Sequence, residues 1–198
     1  MASKVEIVNI ALSRLGADSI NALTEASEGA RQANLLWNSV RDIVLRDFPW
    51  NCAAKTAILA QVAGYAHPEW EYAYQHPSDC VYARRVFNAG SRAKKEPEEF
   101  RVVISPSGTS KVLLARISGA SLEYTARVTD PNLYDSLLVD SLAMRLAAEM
   151  AMPVTGNAAY MEKFMEAYRQ SLMIAYGVEA NEGREPMKHS DTYVSARW

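Results

Sequence analysis

Cysteine is scarce: Cys52 and Cys80 are the only two among 198 residues. Two are too few for a disulfide scaffold, and they form neither a C-x-x-C pair nor a zinc ligand set, so a reducing compartment is the default expectation. An excess of charge of one sign is also missing. The 21 basic and 23 acidic residues leave a net charge of -2, which argues against nucleic-acid binding through bulk positive charge. No window approaches ~18 uncharged apolar residues, so no membrane span is expected. The opening MASKVEIVNIALSRL lacks a basic region followed by an unbroken apolar stretch and does not read as a signal peptide. The glycine-rich phosphate loop, the dinucleotide fingerprint, the G-x-S-x-G elbow and H-E-x-x-H are all missing, and with them the residues their mechanisms need.

What the chain does have is a 49% hydrophobic composition, too apolar for disorder as its main state. Its length suits one domain, or two small ones sharing a core. Helical periodicity comes first. Ser3 and Glu6 form an S-x-x-E capping box, and Val5, Val8, Leu12 and Leu15 recur at helical spacing until Gly16 offers a left-handed C-terminus. A second helix starts at Ser27, with Glu28 favouring its positive end. Ala30, Ala33, Trp37, Val40, Val44 and Phe48 carry its apolar stripe until Pro49 ends it. Trp37 and Trp50 read as core residues.

From Asn51 to Asp130 the pattern changes to short Val-, Ile-, Tyr- and Leu-rich runs punctuated by Pro, Gly and Ser, which predicts antiparallel strands. The candidates are Trp70–Gln75, Val81–Asn88, Phe100–Ile104, Lys111–Ile117 and Leu122–Val128. Several of the turns between them are short enough for hairpins. The helical period returns after Asp130-Pro131. Leu133, Leu137, Leu138, Leu142, Leu146 and Met150 mark a long helix expected to stop before Pro153. A last helix, opened by Gly156 and Asn157, carries Tyr160, Phe164, Tyr168, Leu172 and Tyr176, and Gly177 closes it. The expected fold is α+β: a helical bundle built from both chain ends (1–50 plus 131–177), an antiparallel β-sheet or sandwich inserted at 51–130, and an extended C-terminal tail at 178–198.

No catalytic constellation emerges. A thiolate nucleophile would need Cys52 or Cys80 beside His67, His76 or His189 and a third orienting group. No flanking signature supports that, and a free cysteine is most often a small buried hydrophobe. The spacing of His67, His76 and Cys80 fits no zinc pattern; the two histidines read as caps of turns before Pro68 and Pro77. Glu96, Glu98 and Glu99 sit in a solvated charge run beside Lys94 and Lys95, where nothing raises a carboxyl pKa. No catalytic, cofactor or metal residues are therefore expected. One weak feature remains: residues 80–130 hold nine basic and five acidic side chains, a local excess of four that could shape the potential of a pore if multiplied around a ring.

The run Arg41-Asp42-Ile43-Val44-Leu45-Arg46-Asp47-Phe48-Pro49-Trp50-Asn51-Cys52-Ala53 resembles an RD-x-x-L motif followed by a PWNFA-like run, with Cys52 where the motif has Phe. It is similar to the tail tubular protein A family, the head-to-tail adaptors of T7-like short-tailed bacteriophages. The opening Glu6–Gly16 stretch, Tyr72-Ala73-Tyr74-Gln75-His76-Pro77-Ser78-Asp79-Cys80, Leu122-Glu123-Tyr124 with Arg127 and Asp130, Leu142-Ala143 through Leu146-Ala147, and Ser195-Ala196-Arg197 follow in the family's order. The resemblance covers nearly the whole chain and rests on the ordered set.

It implies a non-enzymatic virion protein, assembled in the host bacterial cytoplasm. Its copies would form a ring, expected to be dodecameric, between the portal protein and the tail nozzle protein. That ring would enclose the DNA channel, let double-stranded DNA pass without sequence readout, and help retain the packaged genome. Ring closure needs two different complementary patches on each subunit. Tyr193, Arg197 and Trp198 are the candidate subunit or portal interface, since aromatic anchors carry disproportionate binding energy. Arg92, Lys94 and Lys95 are the candidate channel-facing basic loop. The competing readings are a tail-associated hydrolase acting on host surface polymer and an adaptor of a non-viral assembly.

Overall fold

The computed structural model describes residues 3–65, 67–88, 90 and 97–182. It is a mixed α+β fold of four helices and two three-stranded antiparallel sheets. Helix α1 (Lys4–Leu15) starts at the capping box: the Ser3 hydroxyl accepts from the Glu6 N–H, and the Glu6 carboxylate accepts from the Ser3 N–H. Gly16 ends it at φ 71°, a conformation that a Cβ disfavours. Helix α2 (Glu28–Asp47) is capped by the Ser27 side chain. Gly29 lies in its first turn because a Cβ there would stand 3.0 Å from a Leu12 methyl, so glycine lets α2 close on α1.

Six strands follow: β1 (Ala54–Ile58), β2 (Tyr72–Gln75), β3 (Cys80–Asn88), β4 (Phe100–Ile104), β5 (Lys111–Ala115) and β6 (Ala120–Ala126). One sheet has the order β1-β6-β3 and the other β2-β5-β4. Five of the six were expected from β-rich runs. Strand β1 was not, because Ala-Lys-Thr-Ala-Ile is mostly exposed on both faces and shows neither alternation nor β-propensity; it is held by its pairing to β6. Only the turn at Pro106-Ser107-Gly108 closes a hairpin between strands of one sheet, β4 to β5. The turns at Pro77–Asp79 and at Gly119 carry the chain from one sheet to the other.

Helix α3 (Ser136–Thr155) is capped by Asp135. It begins after a 3-10 turn, Pro131–Leu133, which leaves Leu133 exposed instead of on the helix's apolar face. It also continues through Pro153 to a left-handed Gly156. Proline was expected to stop it, but one turn from the end the missing N–H and the crowded carbonyl disturb little of the ladder.

Helix α4 (Ala159–Glu182) runs through Gly177; the first five residues of the expected tail are therefore helical, and residues 183–198 lie outside those described. Tyr176 is exposed, while Phe164, Tyr168, Ser171 and Ala175 are buried. A run of four-residue steps drifts ~40° per step around a helix of 3.6 residues per turn, so the buried stripe changes to a three-residue step and leaves Tyr176 outside.

Residues from all four helices share one apolar cluster, centred on Leu12, Val44, Leu142, Leu146 and Tyr168. A second cluster takes Val86, Leu122 and Tyr124 from one sheet and Tyr74 and Leu113 from the other. Among the described residues, no helix is long and apolar enough to cross a membrane.

Candidate functional site: the joint between helices and sheets

Some of the residues that carried the family resemblance, from the α2 run, the Tyr72–Cys80 segment and the Leu122–Arg127 segment, meet where the C-terminal half of α2 reaches the sheets. Arg41 is buried on α2 and donates through Nε and an Nη to the Asp42 carboxylate at 3.0 and 2.8 Å. The other Asp42 oxygen accepts from Arg127 Nε at 2.9 Å. The Arg127 backbone N–H donates to the Asp79 carbonyl at 2.6 Å. Asp42 and Asp79, from motif segments 37 positions apart, thus hold the same residue just beyond the end of β6.

Asp79 extends the network. One carboxylate oxygen accepts from Lys55 Nζ at 2.7 Å and the other from the Tyr124 hydroxyl at 2.9 Å. The Lys55 hydrogen bond leads the causes that hold the Asp79 carboxyl below its ordinary range, and the same contact raises the Lys55 ammonium. Burial pushes the Tyr124 phenol up, with the Asp79 contact adding to it. Each group is driven further into the protonation state it already has at neutral pH. A general acid or base is instead tuned towards the working pH, so this cluster is arranged as a clamp.

The other end of the α2 motif works in the same way. An Arg46 Nη donates to the Val81 carbonyl at 3.2 Å, and its guanidinium lies 5.5 Å from the Tyr82 ring centre. Asp47 accepts from the Tyr168 hydroxyl of α4 at 2.8 Å. Trp50 is fully buried; its indole N–H donates to the Val44 carbonyl, and its own carbonyl accepts from Arg84. Trp37 is buried as expected.

The remaining candidates are placed as follows. His67 caps its turn, accepting at Nδ1 from the Glu69 N–H. Burial lowers the His76 pKa, with Lys111 adding to the effect. Cys52 packs against the helical cluster and Cys80 against the sheet cluster. Burial raises the Cys80 thiol to about 11, so it is protonated, and a poor nucleophile, at neutral pH. Among the described residues, no three His, Cys, Asp or Glu side chains gather where a metal ion could be held.

Of the basic residues counted between 80 and 130, Arg84 bonds Thr125 and Trp50, Arg85 pairs with Glu123, Arg116 with Glu99, and Arg127 with Asp42. Glu99 and Glu123 are already among the five acids counted, so of these contacts only that of Arg127 with Asp42 brings in an acid from outside the segment. Tyr193, Arg197 and Trp198, and likewise Arg92, Lys94 and Lys95, lie outside the described residues.

No family model matches the chain, and no curated protein matches it.

A surface that the sequence reading missed lies at the far end of α4. Met173, Ile174, Tyr176 and Val178 are all exposed there, four large apolar side chains within the last ten residues of the helix.

Proposed function

We propose that this chain is a structural head-to-tail adaptor similar to the tail tubular protein A family. It acts by packing against copies of itself, a portal protein and a tail nozzle protein, and it is not an enzyme. The observation that carries the reading is the convergence on Arg127. Residues that make the sequence resemble that family, Asp42, Asp79, Tyr124 and Arg127, bond to one another in space. A chance string of local matches has no reason to do so.

In this reading the four helices are the bundle, the two sheets are the sandwich inserted into it, and 183–198 is the tail. The apolar end of α4 supports a subunit interface, since large exposed apolar residues in a cluster mark contact surfaces. Tyr193, Arg197 and Trp198 are the proposed contacts with a neighbour or the portal. Arg92, Lys94 and Lys95 face the channel, where contact with passing double-stranded DNA is weak and nonspecific. The ring is a dodecamer in the virion, closed by a heterologous contact.

The test is to mix the purified chain with intact cognate portal and follow complex formation by sedimentation and electron microscopy. A ring on the portal is expected, and removal of residues 183–198 should abolish it while leaving the melting temperature of the isolated chain within about 2 °C, a shift small on the scale of one lost contact. Failure of the full-length chain to bind intact portal rules the adaptor reading out.

A further inference from the structure

Strands β3 and β4 begin as neighbours and then part. The Glu98 N–H donates to the Val86 carbonyl at 2.8 Å, an isolated antiparallel bridge. Beyond it β3 pairs only with β6, and β4 only with β5, among the described residues. The two strands are outer strands of different sheets, so their facing edges open into a wedge of about 430 Å³, within the range of cavities that hold ligands.

Consecutive residues of both strands line this wedge: Val81, Tyr82 and Ala83 of β3, and Val102, Val103 and Ile104 of β4. Side chains alternate across a strand, so a cavity touching three in a row faces the strand edge itself. Backbone donors and acceptors of β4 are therefore within its reach, whereas on β3 the Val81 carbonyl already accepts from Arg46 at 3.2 Å, so the β4 side is the edge left to pair. Tyr82, Val102 and Ile104 are exposed. An apolar outer strand left open is a pairing and aggregation hazard that proteins usually blunt.

The charge of the wedge is one-sided. Arg46 and Lys111 line it together with His76, and among the described residues no carboxylate does. Lys111 is the register partner of Ile104, at the end of β4.

We propose that the β3–β4 wedge is a strand-addition site that takes an extended peptide segment of a partner protein, with apolar side chains against Tyr82, Val102 and Ile104 and acidic side chains towards Arg46 and Lys111. Main-chain hydrogen bonds to the open edge give such a site its affinity, and alternate side chains give it specificity. The cations select against basic segments by charge. The inference goes beyond the adaptor reading and holds or fails separately from it.

The test uses the full chain and a capped synthetic Glu-Val octapeptide, Val-Thr-Glu-Thr-Val-Thr-Glu-Thr, which puts Val and Glu on one face of an added strand, as Ile104 and Lys111 share one face of theirs. Three controls accompany it: the Lys-Val counterpart, the Glu-Val peptide N-methylated at alternate amides, and a Lys111→Glu variant of the protein. The Glu-Val peptide should bind with a dissociation constant below about 1 mM and slow amide exchange in β4. The Lys-Val and N-methylated peptides should bind at least about tenfold more weakly, a difference of about 1.4 kcal/mol, and Lys111→Glu should weaken the acidic peptide similarly. Should Lys111→Glu fail to fold, the two control peptides on the unaltered chain decide alone. No binding of the Glu-Val peptide, or binding indifferent to N-methylation or to charge reversal, overturns the proposal.

Discussion

Arg127 Nε donates to the Asp42 carboxylate across 85 positions of sequence, at 2.9 Å, and so fastens the end of β6 to the middle of α2. The contact is half exposed on the arginine side, and pairs of that kind contribute little alone, about 0–1 kcal/mol. Asp42 matters more because it also holds Arg41, whose side chain is 7% exposed. Removing Asp42 leaves a buried guanidinium short of its carboxylate partner.

Asp42→Ala is therefore expected to destabilise the fold by about 1–3 kcal/mol, and Arg127→Ala by less than about 1 kcal/mol. Urea denaturation of both single variants and the double variant checks this. Equal losses for the two single variants would mean that Arg41 gains nothing from Asp42.

The α4 helix is tied to α2 by the Tyr168 hydroxyl, which donates to Asp47. Its ring also lies beneath the Arg145 guanidinium, at 5.6 Å, a contact that phenylalanine preserves. Tyr168→Phe removes only the hydrogen bond, and water can reach the exposed Asp47 carboxylate. The expected cost is about 0.5–1.5 kcal/mol by thermal or urea denaturation. A loss as large as that of a truncated core residue would show that the hydroxyl organises more of the helix than this one bond.

How much of this was readable beforehand follows from the range of each interaction. Helix caps at Ser3, Ser27 and Gly16 were legible because each is a bond within a few residues of its own position. The strand runs were legible where alternation and branched side chains coincide, as at Phe100–Ile104. Strand β1 was hidden because the strand it pairs with, β6, is distant in the sequence. The division into two sheets was hidden for the same reason, since turns such as Pro77–Asp79 look alike whether they close a hairpin or cross between sheets. The joint at Arg127 was half visible: the motif residues stood out, but their convergence depends on a contact 85 positions long. The wedge between β3 and β4 has no sequence signal, because it exists only where two neighbouring strands leave for different sheets.

Alkaline pH should weaken the fold. Burial raises the Cys80 thiol from 9.0 to about 11 and the Tyr134 phenol from 10.0 to about 12. Between those values the folded chain keeps protons that the unfolded chain has released. The unfolding free energy must then fall as pH rises. The Cys80 contribution is fully present below about pH 9 and lost by about 11; that of Tyr134 is lost between about 10 and 12. Urea midpoints measured across pH 8 to 11 should decline, and Cys80→Ser should flatten the part of the decline below Tyr134's range. A thiol reagent should react slowly with folded Cys80 at pH 7. Rapid labelling of the folded chain at that pH contradicts the burial argument.

The same chemical change is expected to act with opposite signs at two glycines. Gly16 holds φ at 71° to close α1, and alanine in that left-handed conformation costs about 1–2 kcal/mol. Gly177 lies inside α4, whose helix continues to Glu182, and a Cβ there meets nothing within 4 Å. Alanine at an open helix-interior position is favoured over glycine by about 0.5–1 kcal/mol. Gly16→Ala should thus lower the melting temperature and Gly177→Ala should raise it or leave it unchanged. The pair separates two views of the chain's last third. If α4 ended at Gly177, as its position after the aromatic steps suggested, that glycine would be a left-handed cap like Gly16, and both substitutions would destabilise.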